Sequence, residues 1–118
     1  MSERIIVNKS ELQQKLKKTL IEMGLYREET QKSICEWADT TFGETTPDAA
    51  IDRCVKEMEE FDKADAEHVA NEAADVVITL YRVAQVMGFD LLEAIDLKMR
   101  VNRGRTWTKN GDGTGQHT

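Results

Sequence analysis

The chain is 118 residues long, carries a net charge of −6, and is 32% charged and 40% hydrophobic, with a single proline. That length suits one domain, and the acidic balance excludes a broad nucleic-acid surface while allowing a small anionic ligand bridged by divalent cations. No stretch approaches the length of a membrane span, the opening MSERIIVNK holds only a three-residue apolar run, and Cys35 and Cys54 form no CxxC pair, so a cytoplasmic protein with reduced, core-facing thiols is expected.

A first helix is predicted from a capping box at Ser10 and Gln13, with Leu12, Leu16, Leu20 and Met23 at helical spacing and Gly24 closing it. A second covers about Tyr26 to Phe42, with Ile34, Trp37, Ala38 and Thr41 on one side and Gly43 at its end. After the loop GETTP, Thr46 as N-cap and Pro47 at the first helical position start a third, striped by Ile51, Val55, Met58 and Phe61. Asp65 is the expected cap of a fourth helix running to Met87 and stopping at Gly88. Asp90 with Glu93 makes the capping box of a fifth, ending near Gly104. The remainder, RTWTKNGDGTGQHT, is Gly-rich and polar, and shows no period-2 strand pattern. Its NGDGTG run is either a turn or part of a disordered tail. The expectation is an all-α fold of about five helices, one domain over 1–118, with 106–118 as a tail.

The fourth helix carries the main signal. At 100° per residue, His68, Glu72, Asp75, Thr79 and Arg82 fall in a stripe roughly 80° wide, and almost everything else from Val69 to Met87 is apolar. A helix apolar over most of its circumference is central, so its polar stripe faces a cleft or another helix. Glu72 and Asp75, three apart, point the same way and can share a cation. Glu57 and Glu60 repeat that spacing on the third helix, and a short connection makes the two helices neighbours. Four carboxylates then converge, and an all-oxygen set selects Mg²⁺ or Mn²⁺. Spacing alone is weak evidence: roughly four acidic i,i+3 pairs are expected by chance, and the sequence holds seven, including Glu36/Asp39 and Glu93/Asp96. Most such pairs are solvated faces. The apolar setting of Glu72 and Asp75 is what distinguishes them.

Glu57-Met-Glu-Glu60 followed by Glu72-Ala-Ala-Asp75 resembles the ExxE…ExxD signature of the MazG-like, all-α nucleoside triphosphate pyrophosphohydrolases. The gap between the motifs, Phe61 to Asn71, is slightly shorter than that family's. Lys98-Met-Arg-Val-Asn102 is similar to its Lys-x-x-x-Asn element. Trp37-Ala-Asp-Thr-Thr-Phe42-Gly43, and Arg105-Thr-Trp107 with the downstream Asp-Gly and His117, resemble a narrower branch, the phage-type dATP/dGTP diphosphohydrolases that include MazZ-like enzymes. The likeness spans about Glu36 to His117.

The resemblance implies a four-helix-bundle core formed in a dimer or dimer of dimers. It implies hydrolysis of a purine (d)NTP, dGTP or dATP, to the monophosphate and pyrophosphate, with two or three Mg²⁺ or Mn²⁺ ions per site. Glu57, Glu60, Glu72 and Asp75 would hold the ions, and Glu60 or Glu57 would take the proton from the attacking water. Lys98, Asn102 and Arg105 would face the phosphates; as plain structure they are surface residues at a helix C-terminus, where cations are favoured. In phages that replace adenine by 2-aminoadenine, such an enzyme supplies dGMP and depletes dATP. Trp37 either stacks on the base or packs in the core beside Ile34 and Thr41. Trp107, beyond the last helix, covers the base or a dimer seam. His68 suits a hydrogen bond better than a metal.

Two other readings remain. A di-iron carboxylate bundle needs two ExxH motifs, and neither histidine lies three residues after a glutamate. A non-enzymatic acidic helical interaction module would use its carboxylates as a charged surface.

Overall fold

The computed structural model describes residues 8–118. It contains α1 (Lys9–Glu22), α2 (Gln31–Phe42), α3 (Pro47–Lys63), α4 (Val69–Met87), α5 (Leu91–Arg103), β1 (Trp107–Lys109) and β2 (Gly115–His117). The chain divides into two compact units between Thr30 and Gln31. No helix among the described residues is long and apolar enough to cross a membrane.

In the first unit, α1 starts two residues earlier than its Ser10 signal. Asn8 is the cap, and its Oδ1 accepts from the backbone N–H groups of Ser10 at 2.9 Å and Glu11 at 3.3 Å. Asparagine outcompetes a following serine because it reaches two free donors of the first turn. Gly24, at φ +74°, closes the helix in the left-handed conformation. The predicted second helix begins five residues late. Residues 25–30 are irregular because they turn back on α1: Lys17 pairs with Glu28 at 3.6 Å and sits 5.2 Å from the Tyr26 ring centroid.

The second unit holds the core. Cys35 and Ala38 of α2, Ala50 and Cys54 of α3, and Val83 and Ala84 of α4 are buried. These are mostly small side chains, so the backbones approach closely around α4, which packs against both α3 and α2. Helices α3 and α4 run antiparallel: Ala50 packs with Val83, the Cys54 thiol lies 4.0 Å from the Val76 carbonyl, and Glu57 lies against Glu72 and Asp75. Thr46 caps α3 through Ala49 N–H at 3.2 Å, with Pro47 at its start. Asp65 accepts from His68 N–H at 3.0 Å and from its Nδ1 at 2.7 Å, but it caps a single turn, and regular α4 begins at Val69. That bonding holds the Asp65 carboxyl below its usual range. Asp90 caps α5 through Glu93 N–H at 2.8 Å.

Gln31 ties the start of α2 to the α4–α5 connection. Its Nε2 donates to Gln85 Oε1 at 3.1 Å and to the Phe89 carbonyl at 2.8 Å, and its Oε1 accepts from Leu91 N–H at 2.9 Å. Gln31→Ala strands the first N–H of α5 and is expected to cost about 1–2 kcal/mol in thermal or urea unfolding. A loss under about 0.5 kcal/mol would show that water replaces the side chain freely.

The tail corrects the expectation of no strands. β1 and β2 pair antiparallel, with Trp107 opposite His117 and Lys109 opposite Gly115. Three-residue strands are too short to display alternation. The turn chemistry is visible: Gly111 and Gly113 take φ +94° and +90°, and Asp112 Oδ1 accepts from Thr114 N–H at 3.0 Å.

Candidate metal centre

Glu57 of α3 and Glu72 and Asp75 of α4 each offer an oxygen within 4.8 Å of the others. The antiparallel pairing of α3 and α4 brings this about, since Glu57 meets the first two turns of α4 just above the Cys54–Val76 contact. Glu57 is only 8% exposed, while Glu72 and Asp75 are half-buried. A carboxylate that deep needs a partner. Arg53, one turn earlier on α3, supplies one through its guanidinium on Glu57 Oε1. Like charges this close repel strongly in a partly dry site, and one arginine cannot balance three of them. An all-oxygen set with surplus negative charge suits a hard divalent cation such as Mg²⁺ or Mn²⁺.

A cavity of about 560 Å³ adjoins the cluster, with Glu57 and Asp75 in its wall. Ile34, Trp37 and Phe42 of α2 and Ile78 of α4 give it an apolar side. Trp37 and Phe42 meet edge to face, with centroids 5.5 Å apart. Trp37 is 56% exposed, so it is a wall of this cavity and not a core residue. Arg53 and Arg82 line the same space. Arg82 reaches from α4 to the end of α2, donating to Asp39 Oδ1 at 3.1 Å and to the Gly43 carbonyl. Burial pushes the Cys35 thiol up, with the neighbouring Asp39 carboxylate adding to the effect. Cys35 therefore stays a protonated core group, donating to the Tyr81 carbonyl at 3.6 Å.

Of the four expected carboxylates, the structure brings three together. Glu60 is exposed and outside the cluster, one turn beyond Glu57. His68 is occupied by Asp65. Lys98, Asn102, Arg105 and Trp107 do not line the cavity, which is built from α2, α3, α4 and the loop at Thr45. Lys98 and Arg105 are exposed. The Asn102 side chain faces Met99, while its carbonyl accepts from Trp107 Nε1 at 2.7 Å, and Trp107 also meets the His117 ring edge to face. Met99, Asn102, Trp107 and His117 form one structural group around the end of α5. Sequence reasoning passed over Arg53, Ile78 and the pairing of Arg82 with α2. For Arg53 the signal was present as an i,i+4 Arg–Glu pair. For the other two it was not, because each depends on which helix lies opposite.

A sequence model of dATP/dGTP pyrophosphohydrolases matches residues 30–118. A dATP/dGTP diphosphohydrolase of Salmonella phage PMBT28 is 43% identical over 89 residues, covering 75% of this chain. The chain spans 30% of that relative's length. A dATP/dGTP diphosphohydrolase of Cyanophage S-2L is 32% identical over 89 residues, covering 75% of this chain and 85% of the relative. Among solved structures, the Cyanophage S-2L MazG-like pyrophosphohydrolase bound to dGDP and three catalytic Mn²⁺ ions per active site superposes with a TM-score of 0.65. It is 30% identical, over 75% of this chain and 92% of that one.

Proposed function

Because the chain belongs to the dATP/dGTP pyrophosphohydrolase family, we propose that it hydrolyses a purine deoxynucleoside triphosphate, dGTP or dATP, to the monophosphate and pyrophosphate. The observation that carries this is the convergence of Glu57, Glu72 and Asp75 at the edge of a cavity walled by Trp37 and Phe42. Carboxylates there suit the metal end of a metal-bound triphosphate, and the aromatic wall suits a purine. The competing reading, a non-enzymatic acidic interaction module, needs its carboxylates at the surface. Glu57, 8% exposed, is poorly placed for that role.

Bound Mg²⁺ or Mn²⁺, in two or three copies, supplies neutralisation of the phosphates and activation of a water. Glu57, Glu72 and Asp75 hold these ions from two helices, with exposed Glu60 as the fourth carboxylate. Glu57 or Glu60 accepts the proton of the attacking water. Trp37 and Phe42 orient the base, and rigid packing around α4 keeps both ends of the substrate in register. We keep Lys98, Asn102 and Arg105 for the phosphates and Trp107 for the base, although they lie outside the cavity walls of the single chain. We take residues 1–118 as one such domain, acting in the cytoplasm, which for a phage protein is that of the host. The assembly we favour is a homodimer or dimer of dimers. Its support is the apolar side chains left exposed, among them Val55, Met58, Phe61, Leu92 and Ile95. Resemblance to the MazZ-like branch supports supply of dGMP, with depletion of dATP, during synthesis of 2-aminoadenine DNA.

The test is to incubate the protein with each dNTP and Mg²⁺ or Mn²⁺ and to separate the products. Monophosphate and pyrophosphate are expected in equal amounts, with dGTP or dATP preferred, and EDTA should abolish turnover. Failure to cleave any nucleotide with either metal overturns the proposal.

A further inference from the structure

Arg53 stands where two different anions need it. Its guanidinium lies on Glu57 Oε1, and among the described residues no other ion pair reaches Glu57, Glu72 or Asp75. Yet Arg53 is not locked in place. Its side chain is 65% exposed while that of Glu57 is 11% exposed, and Arg53 lines the same cavity as Glu57 and Asp75. Arg82, the other arginine in that wall, is held by Asp39 and Gly43. Arg53 is thus the cavity arginine whose ion-pair partner, among the described residues, is a cluster carboxylate.

Each cluster residue offers one ligand oxygen within 4.8 Å of the others, so a divalent cation held by all three binds the same Glu57 carboxylate that Arg53 contacts through Oε1. The cation and the guanidinium, both positive and on one carboxylate, repel each other. That repulsion weakens the Arg53–Glu57 pair, and the exposed Arg53 side chain is free to swing into the cavity. We propose that Arg53 is a displaceable internal counter-ion: it neutralises Glu57 while no cation is bound, then pairs with the phosphate chain of the nucleotide once a cation holds that carboxylate. Its second role rests on the hydrolase reading above. A planar guanidinium fits phosphate as well as it fits carboxylate, so the exchange keeps the charge paired in both states. The same contact tunes metal affinity, because the guanidinium and the cation compete for one carboxylate.

The test compares the wild type with Arg53→Gln and Lys56→Gln. Both variants remove one positive charge from the same stretch of α3, but among the described residues Lys56 forms no ion pair with the cluster. Glutamine is a good helix former at an exposed position, so the fold should survive, which circular dichroism checks. In nucleotide-free protein, Mn²⁺ binding followed by electron paramagnetic resonance should be about three- to tenfold tighter in Arg53→Gln, and within about twofold of wild type in Lys56→Gln. Equal tightening in both variants, or none in Arg53→Gln, overturns the exchange at Glu57. At saturating Mn²⁺, Arg53→Gln should raise KM for dGTP or dATP about tenfold or more, with a smaller change in kcat. An unchanged KM overturns the phosphate role. If wild type binds Mn²⁺ but cleaves no nucleotide, the hydrolase reading falls and the phosphate role with it, while the Mn²⁺ comparison still decides the exchange.

Discussion

Asp75→Asn is expected to lower turnover of purine dNTPs by at least about 10²- to 10³-fold, the range seen when an electrostatic group of a catalytic site is removed. The amide has nearly the same shape, so the half-buried position on α4 is filled as before. The hydroxyl of Thr79 donates to the Asp75 backbone carbonyl at 3.0 Å, a bond that the substitution leaves intact. The change therefore removes one negative charge and little else. With three carboxylates in the cluster, it removes a third of the charge available to a cation. Far-UV circular dichroism should be unchanged, and Mn²⁺ affinity should fall with activity. Glu36→Gln is the matched control, since Glu36 belongs to an acidic pair of identical spacing but is exposed and bonded to Lys32 at 3.9 Å. Its activity should stay within about twofold of wild type. Full activity in Asp75→Asn would remove Asp75 from the metal centre.

The contrast between Asp75 and Glu36 also shows what the sequence could and could not reveal. Both pairs have the same spacing, and a pattern search cannot rank them. The apolar surroundings of Glu72 and Asp75 could be read from residue order, because burial of α4 follows from its composition. So could most of the helix ends, where local chemistry suffices: Thr46 with Pro47, Asp90 with Glu93, and the left-handed glycines Gly24, Gly43 and Gly88. The start of α2 was not legible. Residues 25–30 have helical character, but an ion pair and a cation–ring contact with α1 hold them in another path. The hairpin escaped for a related reason, since its register depends on pairing across a turn and not on any period within a strand. Glu60 illustrates the limit inside the motif itself. Residues three apart share a helix face only approximately, and the partner helix is close enough to enclose one of them, Glu57 at 8% exposure.

The same geometry explains why the cavity keeps its shape. Its apolar wall sits on α2 and its acidic wall on α3 and α4, so the angle between α2 and α4 sets the distance from aromatic residues to carboxylates. Small buried residues such as Ala38 and Ala84 let these helices approach, but smooth contacts do not define one orientation. Directional bonds do: Gln31 at the start of α2 and Arg82 at its end provide them, with the weaker Cys35 thiol bond to the Tyr81 carbonyl between.

Arg82→Ala should therefore have the largest effect on stability of any substitution in this wall. The side chain is 18% exposed and donates both to Asp39 and to the Gly43 carbonyl. Truncation leaves the Gly43 carbonyl, one residue past α2, without that donor and leaves the Asp39 carboxylate without its cation. The expected cost is about 2–4 kcal/mol, which lowers Tm by roughly 6–15 °C for a chain of this size. Asp39→Ala should cost less, because Asp39 is 50% exposed and water can take its place beside the guanidinium. The double variant should cost little more than Arg82→Ala alone, since the pair is then already broken. Strict additivity would mean that the two groups do not interact in solution. At temperatures where Arg82→Ala is still folded, KM should rise more than kcat falls, because a loosened α2 moves Trp37 and Phe42 away from the base while Glu57, Glu72 and Asp75 remain fixed on α3 and α4. A variant with normal KM and a large fall in kcat would instead place Arg82 at the reacting phosphates and deny it this positioning role.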